Sequence, residues 1–341
     1  MRPATSHPLG FFAALILLAV LFATPAAFAQ DPLAPAPVNV PPPPGYAPPG
    51  QQTAPSHRLR AEVGLVVLHV TVADAAGRLV LDLDRNNFRV FEDKAEQQVS
   101  LFSHQDIPIS MGLVIDNSGS METKRAQVNA AALTFVRTSN PQDEAFVVNF
   151  NDEYYLDTEH DFTSDTNELN DALSRISIHG GTALYDAVIG SLDHLKKGHK
   201  DKRVLLVITD GDDDASRKTF DQAIQAAQQS NATIYSIGVF SEDDLKHNKG
   251  MVRHSKKVLE DLAAATGGEA YFPASLDEVT PICERVANEL RKQYTLGYYS
   301  TNAAKDGTFR TVRVQVQSPH GKLSVRSRTG YYAPKATSPA D

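Results

Sequence analysis

The chain has 341 residues, with 33 Lys and Arg against 41 Asp and Glu, for a net charge of −8. That acidic balance counts against nucleic acid or an anionic membrane surface as the main partner. A chain of this length accommodates about two domains, and its single Cys, Cys283, excludes an internal disulfide.

The N-terminus departs from the composition of the rest. Arg2 is followed by an apolar run from Leu9 to Phe22, then by Ala27-Phe28-Ala29. A basic residue, an apolar core and a small-x-small site read as a secretory signal peptide over residues 1–29, with an uncleaved membrane anchor as the alternative. The expected location is therefore outside the cytoplasm, secreted or in the periplasm or cell envelope, or else tethered there by the N-terminus. No Cys lies near the cleavage site, which counts against a lipid anchor, and Arg2-Pro3 is not a twin-arginine signal. Residues 30–57 carry Pro41–Pro44 and Pro48-Pro49 among Ala, Gly and Gln. Such a segment cannot bury a core and reads as an extended linker.

Residues 58–106 read as β structure. A Val- and Leu-rich stretch from Glu62 to Ala73 is followed by shorter strand signals at Leu79–Leu81, Phe88–Phe91 and Gln97–Phe102. Over residues 107–292 the pattern changes to strand alternating with helix. Strands are expected at Ser110–Asp116, Ala145–Phe150, Glu153–Leu156 (an edge), Arg203–Thr209, Thr233–Phe240 and Ala270–Phe272. Helices are expected at Glu122–Arg137, Asn167–Ile176, Ala183–Lys197, Thr219–Gln229, Val258–Ala265 and Leu276–Lys292. This alternation predicts a doubly wound, mostly parallel α/β sheet. Residues 293–334 return to β, at Tyr294–Tyr299, Thr308–Gln317 and Lys322–Arg328, the last two joined at Ser318–Gly321; residues 335–341 form a tail. Neither β segment is long enough to make a comfortable sandwich alone. A single sandwich-like β domain built from both, with the α/β domain inserted, would solve that, and two small separate β pieces are the alternative.

Three points of the α/β segment carry chemistry. Asp116-Asn-Ser118-Gly-Ser120 ends the first strand and places three oxygen-bearing side chains at alternate positions of one tight loop. Oxygen ligands without His or Cys suit a hard divalent cation, although Asp and Ser are also ordinary helix caps. Gly180-Gly181-Thr182 is a flexible turn that brings a hydroxyl to a helix start. Thr209-Asp210-Gly211 places an acid just past a buried strand. Ligands of open α/β sheets bind at the carboxyl ends of strands near the switch point of the winding, so the topology brings these points together.

Taken together, the pattern resembles the von Willebrand factor type A (VWA) domain and its metal-ion-dependent adhesion site. Asp116, Ser118, Ser120, Thr182 and Asp210 match the family's five positions without substitution. The whole chain also looks like exported bacterial VWA-related proteins, in which a β segment ending in a Glu-Asp turn, here Phe91-Glu92-Asp93, precedes the VWA core. The resemblance implies Mg²⁺, with Mn²⁺ or Ca²⁺ as alternatives. Ser118 and Ser120 would bind it through their hydroxyls, Thr182 directly or through water, and Asp116 and Asp210 chiefly through bound waters. It further implies a protein ligand whose Asp or Glu carboxylate completes the metal's shell.

A binding module rather than an enzyme is the expectation. The chain has no phosphate-binding Gly-Lys-Ser/Thr loop, no Gly-x-Ser-x-Gly elbow and no His-Glu-x-x-His pair. Ser118 and Ser120 have no general base predicted beside them. A structural cell-envelope component and a Mg²⁺-dependent hydrolase are the alternative functions. Asp210–Asp214 lacks the downstream Glu of a calcium loop and reads as a solvated acidic rim. His247 and His254 fall in a polar stretch, Glu242–Lys257, that reads as an exposed variable loop rather than a zinc site. Tyr154-Tyr155, Tyr298-Tyr299 and Tyr331-Tyr332 are expected to pack in strands, and Cys283 to lie on a buried helix face.

Overall fold

The structure is a computed structural model and describes residues 64–175, 178–317 and 321–336. The expected signal peptide and linker, Ile176, most of the turn at 318–321 and the last tail residues lie outside the described residues. Four strands come first: β1 (Leu65–Ala73), β2 (Phe88–Glu92), β3 (Ala95–Gln97) and β4 (Val99–Ser103). The alternating part runs β5 (Ile109–Asp116), α1 (Arg125–Thr138), β6 (Glu144–Phe150), β7 (Tyr154–Leu156), α2 (Thr166–Ser174), α3 (Leu184–Leu195), β8 (Lys202–Thr209), α4 (Phe220–Gln229), β9 (Ala232–Gly238), α5 (Glu242–His247), α6 (Lys249–Thr266), β10 (Ala270–Tyr271) and α7 (Val279–Arg291). The chain closes with β11 (Tyr294–Tyr299), β12 (Phe309–Val316), β13 (Ser324–Arg326) and β14 (Gly330–Tyr332).

The alternating part forms one six-stranded sheet in the order β10-β9-β8-β5-β6-β7. Its inner strands are parallel, and only the edge strand β7 runs antiparallel to its neighbour. Every residue of β5 is buried, as a strand covered on both faces requires. Ile109, Met111, Leu113 and Ile115 pack with α1, α2 and α7, where Cys283 also lies. Val114 packs on the opposite side with side chains of α3, α4 and α6.

The outer strands make two further four-stranded sheets, β13-β1-β11-β4 and β14-β12-β2-β3, each mixing strands from before and after the α/β part. Leu68 pairs with Leu296 and Val70 with Tyr294 in one sheet, and Val90 with Val314 in the other. These residues share one core. Glu92 is buried there and accepts hydrogen bonds from the Tyr298 and Tyr331 hydroxyls, 2.8 Å each, while the Arg310 guanidinium lies 3.5 Å away. A buried carboxylate persists because its lone pairs are met and its charge is opposed.

Four local expectations change. Leu79–Leu81 is reduced to a single bridge, Ala73 to Leu79, since only this point reaches β1. Gln97–Phe102 is split into β3 and β4, which join different sheets. The polar stretch Glu242–Lys257 is helical, not an exposed loop. Ser241 and Asp244 form a capping box that starts α5, and α6 buries Val252, Ser255, Val258, Leu259 and Leu262 along one face. Gly267, at φ 86°, ends α6 in the left-handed conformation that glycine adopts without strain. The tyrosine pairs do sit in strands, but Tyr154, Tyr155 and Tyr299 are exposed rather than packed.

Candidate metal centre

The winding reverses between β5 and β8. From β5 the chain moves outward to β6 and β7, then returns to place β8 on the other side of β5. Ile115 pairs with Ile208, so Asp116 stands beside Thr209 where both strands end. Asp116 is fully buried, and both carboxylate oxygens are engaged: Oδ1 accepts from the Ser118 backbone N–H at 2.7 Å, and Oδ2 from the Thr209 hydroxyl at 2.6 Å. These bonds fix the carboxylate's orientation.

The Ser118 and Ser120 hydroxyls lie 3.1 Å apart. Ser118 is buried, whereas Ser120 reaches solvent in the middle of a short 3₁₀ turn, Gly119–Met121. This turn precedes α1, which therefore begins at Arg125 rather than at Glu122. The loop is anchored from below. Asn117 donates its backbone N–H to the Phe150 carbonyl at 2.6 Å, and its side-chain oxygen accepts from Arg125 Nε at 2.5 Å. Arg125 is itself buried, with Asn129 and Asn149 as its other partners. Burial pulls its guanidinium down to about 10, against the opposing charges of Asp116 and Asp157.

Thr182 is buried at the end of a second loop, which the backbone ties to the first. His179 N–H donates to the Asn117 carbonyl at 3.3 Å and Gly119 N–H to the Gly180 carbonyl at 3.4 Å. The Gly180-Gly181 turn is pinned rather than loose. Asp152 accepts from the Gly181 N–H at 2.8 Å, and Asp214 from the Thr182 N–H at 2.7 Å. A Cβ at Gly180 would lie 1.8 Å from Asp152, and one at Gly181 would lie 2.3 Å from Asp214. The backbone of Gly180 also has φ 71°. Glycine is required here by space and by conformation.

The same contacts revise the acidic rim. Asp214 holds Thr182, and Asp213 accepts from the Tyr185 N–H at 2.9 Å, in the first turn of α3. Both satisfy amide groups at a helix start, where negative charge is favoured. Asp212 and Asp214 are exposed, as a solvated rim requires, but Asp214 also positions Thr182 and the half-buried Asp213 positions Tyr185.

Asp210 follows β8 directly and is buried. Its Oδ2 lies 3.3 Å from the ammonium of Lys124, which is buried as well. Burial and the neighbouring Asp210 push the Asp116 carboxyl up to about 6, although the bonds from Ser118 and Thr209 pull the other way. The five predicted residues are thus drawn to one end of the sheet by three loops. Among the described residues no group of three or more His, Cys, Asp or Glu forms a metal cage. The donor set has two acids and three hydroxyls instead, all oxygen, which fits a hard cation and not a thiolate- or imidazole-bound one.

Sequence reasoning missed Lys124, Arg125, Thr209, Asp152 and Asp214. Lys124 and Arg125 had a visible signal, since two basic residues at a helix N-terminus oppose its dipole and call for nearby acids. Asp152 and Asp214 had none, because their partners lie 29 and 32 residues away in the chain.

The doubly wound sheet, with its three loops meeting at the switch point, defines an α/β domain with a candidate site at the carboxyl ends of its central strands. Within it, residues 111–212 match the model of the von Willebrand factor type A domain. No curated protein matches the chain. Among solved structures it is similar to a von Willebrand factor type A protein from Catenulispora acidiphila, at 12% identity and TM-score 0.46, covering 74% of this chain and 75% of that one. It is also similar to the vWF domain of a type V pilus tip protein from Porphyromonas gingivalis, at 14% identity and TM-score 0.45, covering 54% and 95%. A third is proximal thread matrix protein 1 of the mussel byssus with a zinc-occupied MIDAS motif, at 17% identity and TM-score 0.46, covering 57% and 48%.

Proposed function

We propose that this protein is an exported, metal-dependent binding module that captures a protein partner through a carboxylate. VWA domains commonly act as protein-binding modules, and the finer reading rests on the site's construction. The observation that carries it is that Asp116 is held on both oxygens by Ser118 and Thr209, while the Ser118 and Ser120 hydroxyls face each other beside it. Ser118, Ser120 and Thr182 would hold the cation, with Asp116 and Asp210 behind them as acceptors for its waters. Mg²⁺ is the expected ion, since it favours six oxygen ligands and retains waters. Bound mainly by neutral hydroxyls, such an ion supplies strong electrophilic attraction for an Asp or Glu side chain of the partner. Serine hydroxyls committed to a cation are poor nucleophiles, so the reading is recognition and not catalysis.

Export rests on the sequence of residues 1–29, and the mature N-terminus of secreted protein, read by mass spectrometry, tests it. The module is tested by capture from the native envelope or secretome with and without Mg²⁺. Asp116→Ala is expected to weaken metal affinity by about 10–100-fold, the range for groups that orient a metal's ligands. It and EDTA should each abolish capture with the circular dichroism spectrum unchanged. Capture that survives both overturns the reading.

A further inference from the structure

Lys124 lies in the metal site without being one of its expected ligands. It stands at the entrance to α1, only 4% exposed, with its ammonium 3.3 Å from Asp210 Oδ2. The next residue, Arg125, is 1% exposed and turns its guanidinium to Asn117, Asn129 and Asn149. Facing this pair are Asp116 and Asp210, 0% and 5% exposed. Two buried cations therefore meet two buried anions at the ends of β5 and β8. With both acids ionised these four buried charges cancel before any metal arrives, while the less buried Asp157, Asp212 and Asp244 lie near enough to interact with Arg125, Asp210 and Lys124.

A neutral cluster is an unusual starting point for a divalent site. Buried acids normally attract a cation because their own charge is uncompensated, and here the compensation is part of the chain. A divalent ion would leave the buried cluster with two excess positive charges, close to Lys124. In a poorly screened interior that repulsion is large compared with its value in water. The ion must also compete with the Lys124 ammonium for Asp210, the acceptor this side chain already occupies.

We propose that Lys124 is the resident counter-cation of the site, which keeps its divalent affinity low and couples metal binding to an anionic partner. The inference rests on the metal-site reading above and deepens it. Lys124 neutralises Asp210 while no metal is present, which spares the free protein an unpaired buried carboxylate. Once a metal binds, the same ammonium adds to the positive potential at the mouth of the site. A partner carboxylate removes part of that excess, so ligand and metal strengthen each other's binding by the same factor.

The test is Mn²⁺ binding at pH 8, with free ion read by electron paramagnetic resonance, for the full chain and for Lys124→Met, Lys124→Arg and Asp116→Ala. Lys124→Met removes the charge but keeps the length of the side chain, and is expected to bind Mn²⁺ at least about tenfold more tightly, equivalent to about 1.4 kcal/mol. Lys124→Arg keeps the charge and is expected to match the unaltered protein. The rise in thermal midpoint on adding Mn²⁺ should also be larger for Lys124→Met, which keeps the experiment decisive if that variant is less stable without metal. Equal or weaker binding by Lys124→Met, with Mn²⁺ still bound by the unaltered protein, overturns the role of Lys124 and leaves the metal site standing. Absence of binding in every variant, Lys124→Met included, overturns the metal site itself.

Discussion

Arg326→Met is expected to lower the folding stability by about 3–5 kcal/mol, the range for removing one partner of a buried ion pair. Glu289, on α7, the last helix of the α/β part, is buried, with its side chain 3% exposed. Its Oε1 accepts from the Thr71 hydroxyl at 2.9 Å and from the Tyr235 hydroxyl at 2.7 Å, and its Oε2 accepts from Arg326 at 2.5 Å. Arg326 also pairs with Glu269. One carboxylate is therefore held by β1 and β13 of the sandwich on one side and by β9 of the α/β sheet on the other. Gln293 extends the network to Thr71 and Tyr235 at 3.0 and 3.2 Å. Without Arg326 the charge on Glu289 would have hydroxyl donors but no directly paired cation. Urea unfolding at pH 7.5, followed by circular dichroism, measures the loss. The double variant Glu289→Gln with Arg326→Met should recover part of it, because the uncompensated charge is gone. A loss under about 1 kcal/mol for the single variant would show that this junction is not held by its ion pair.

Acid sensitivity is the second large effect, and it is traced to His69. This residue is half-buried on β1, with Nδ1 3.3 Å from the Thr295 hydroxyl. Burial, followed by the positive charges of Lys202 and Arg328, pulls its pKa from 6.5 down to about 3. In the unfolded chain His69 takes up its proton below about 6.5, whereas the folded protein holds it neutral until about 3. Across that window the unfolded state binds more protons, so stability is complete above pH 6.5 and falls as the pH drops. Each pH unit removes up to about 1.4 kcal/mol, and partial contact with water trims this to about 2 kcal/mol in all between pH 7.5 and 4.5. Asp116 acts in the opposite sense between about 6 and 3.8, where its raised pKa lets the metal-free folded state take a proton first. The measurement is therefore a difference: the stability of His69→Asn should depend less on pH than that of the unaltered protein, by about 2 kcal/mol over this range. Identical pH dependence of the two would refute the assignment.

Much of the α/β sheet is legible in the chain because each strand carries a local signature. Val204–Ile208 and Leu113–Ile115 are unbroken apolar runs, and a strand buried on both faces needs nothing else. The residues of the candidate metal centre were legible for the same reason. Asp116, Ser118 and Ser120 lie within five residues, and Asp210 directly follows a strand of the obvious kind. Helix α6 was only half legible. Its polar residues from Lys249 to Lys257 hide a buried stripe through Val252, Ser255 and Leu259, and the capping box at Ser241 and Asp244 was the overlooked cue to the helix before it, α5. The strand expected at Leu79–Leu81 fails in the other direction. Its composition suits a strand, but pairing is supplied by a partner, and β1 offers only one bridge.

By itself, the sequence determined the doubly wound sheet and singled out the five oxygen-bearing residues of the candidate site, because both follow from short-range order: residue period within a strand, and spacing within a loop. Only the tertiary structure decided what surrounds those residues. That Asp214 pins Thr182, that Thr209 orients Asp116 and that Lys124 neutralises Asp210 are contacts between residues 32, 93 and 86 positions apart. The pairing of β1 with β11 and of β2 with β12 is longer in range still. Such contacts depend on which elements the packing of the core brings side by side. No period or spacing along the chain encodes that, and so the charge balance of the site became visible only in the folded protein.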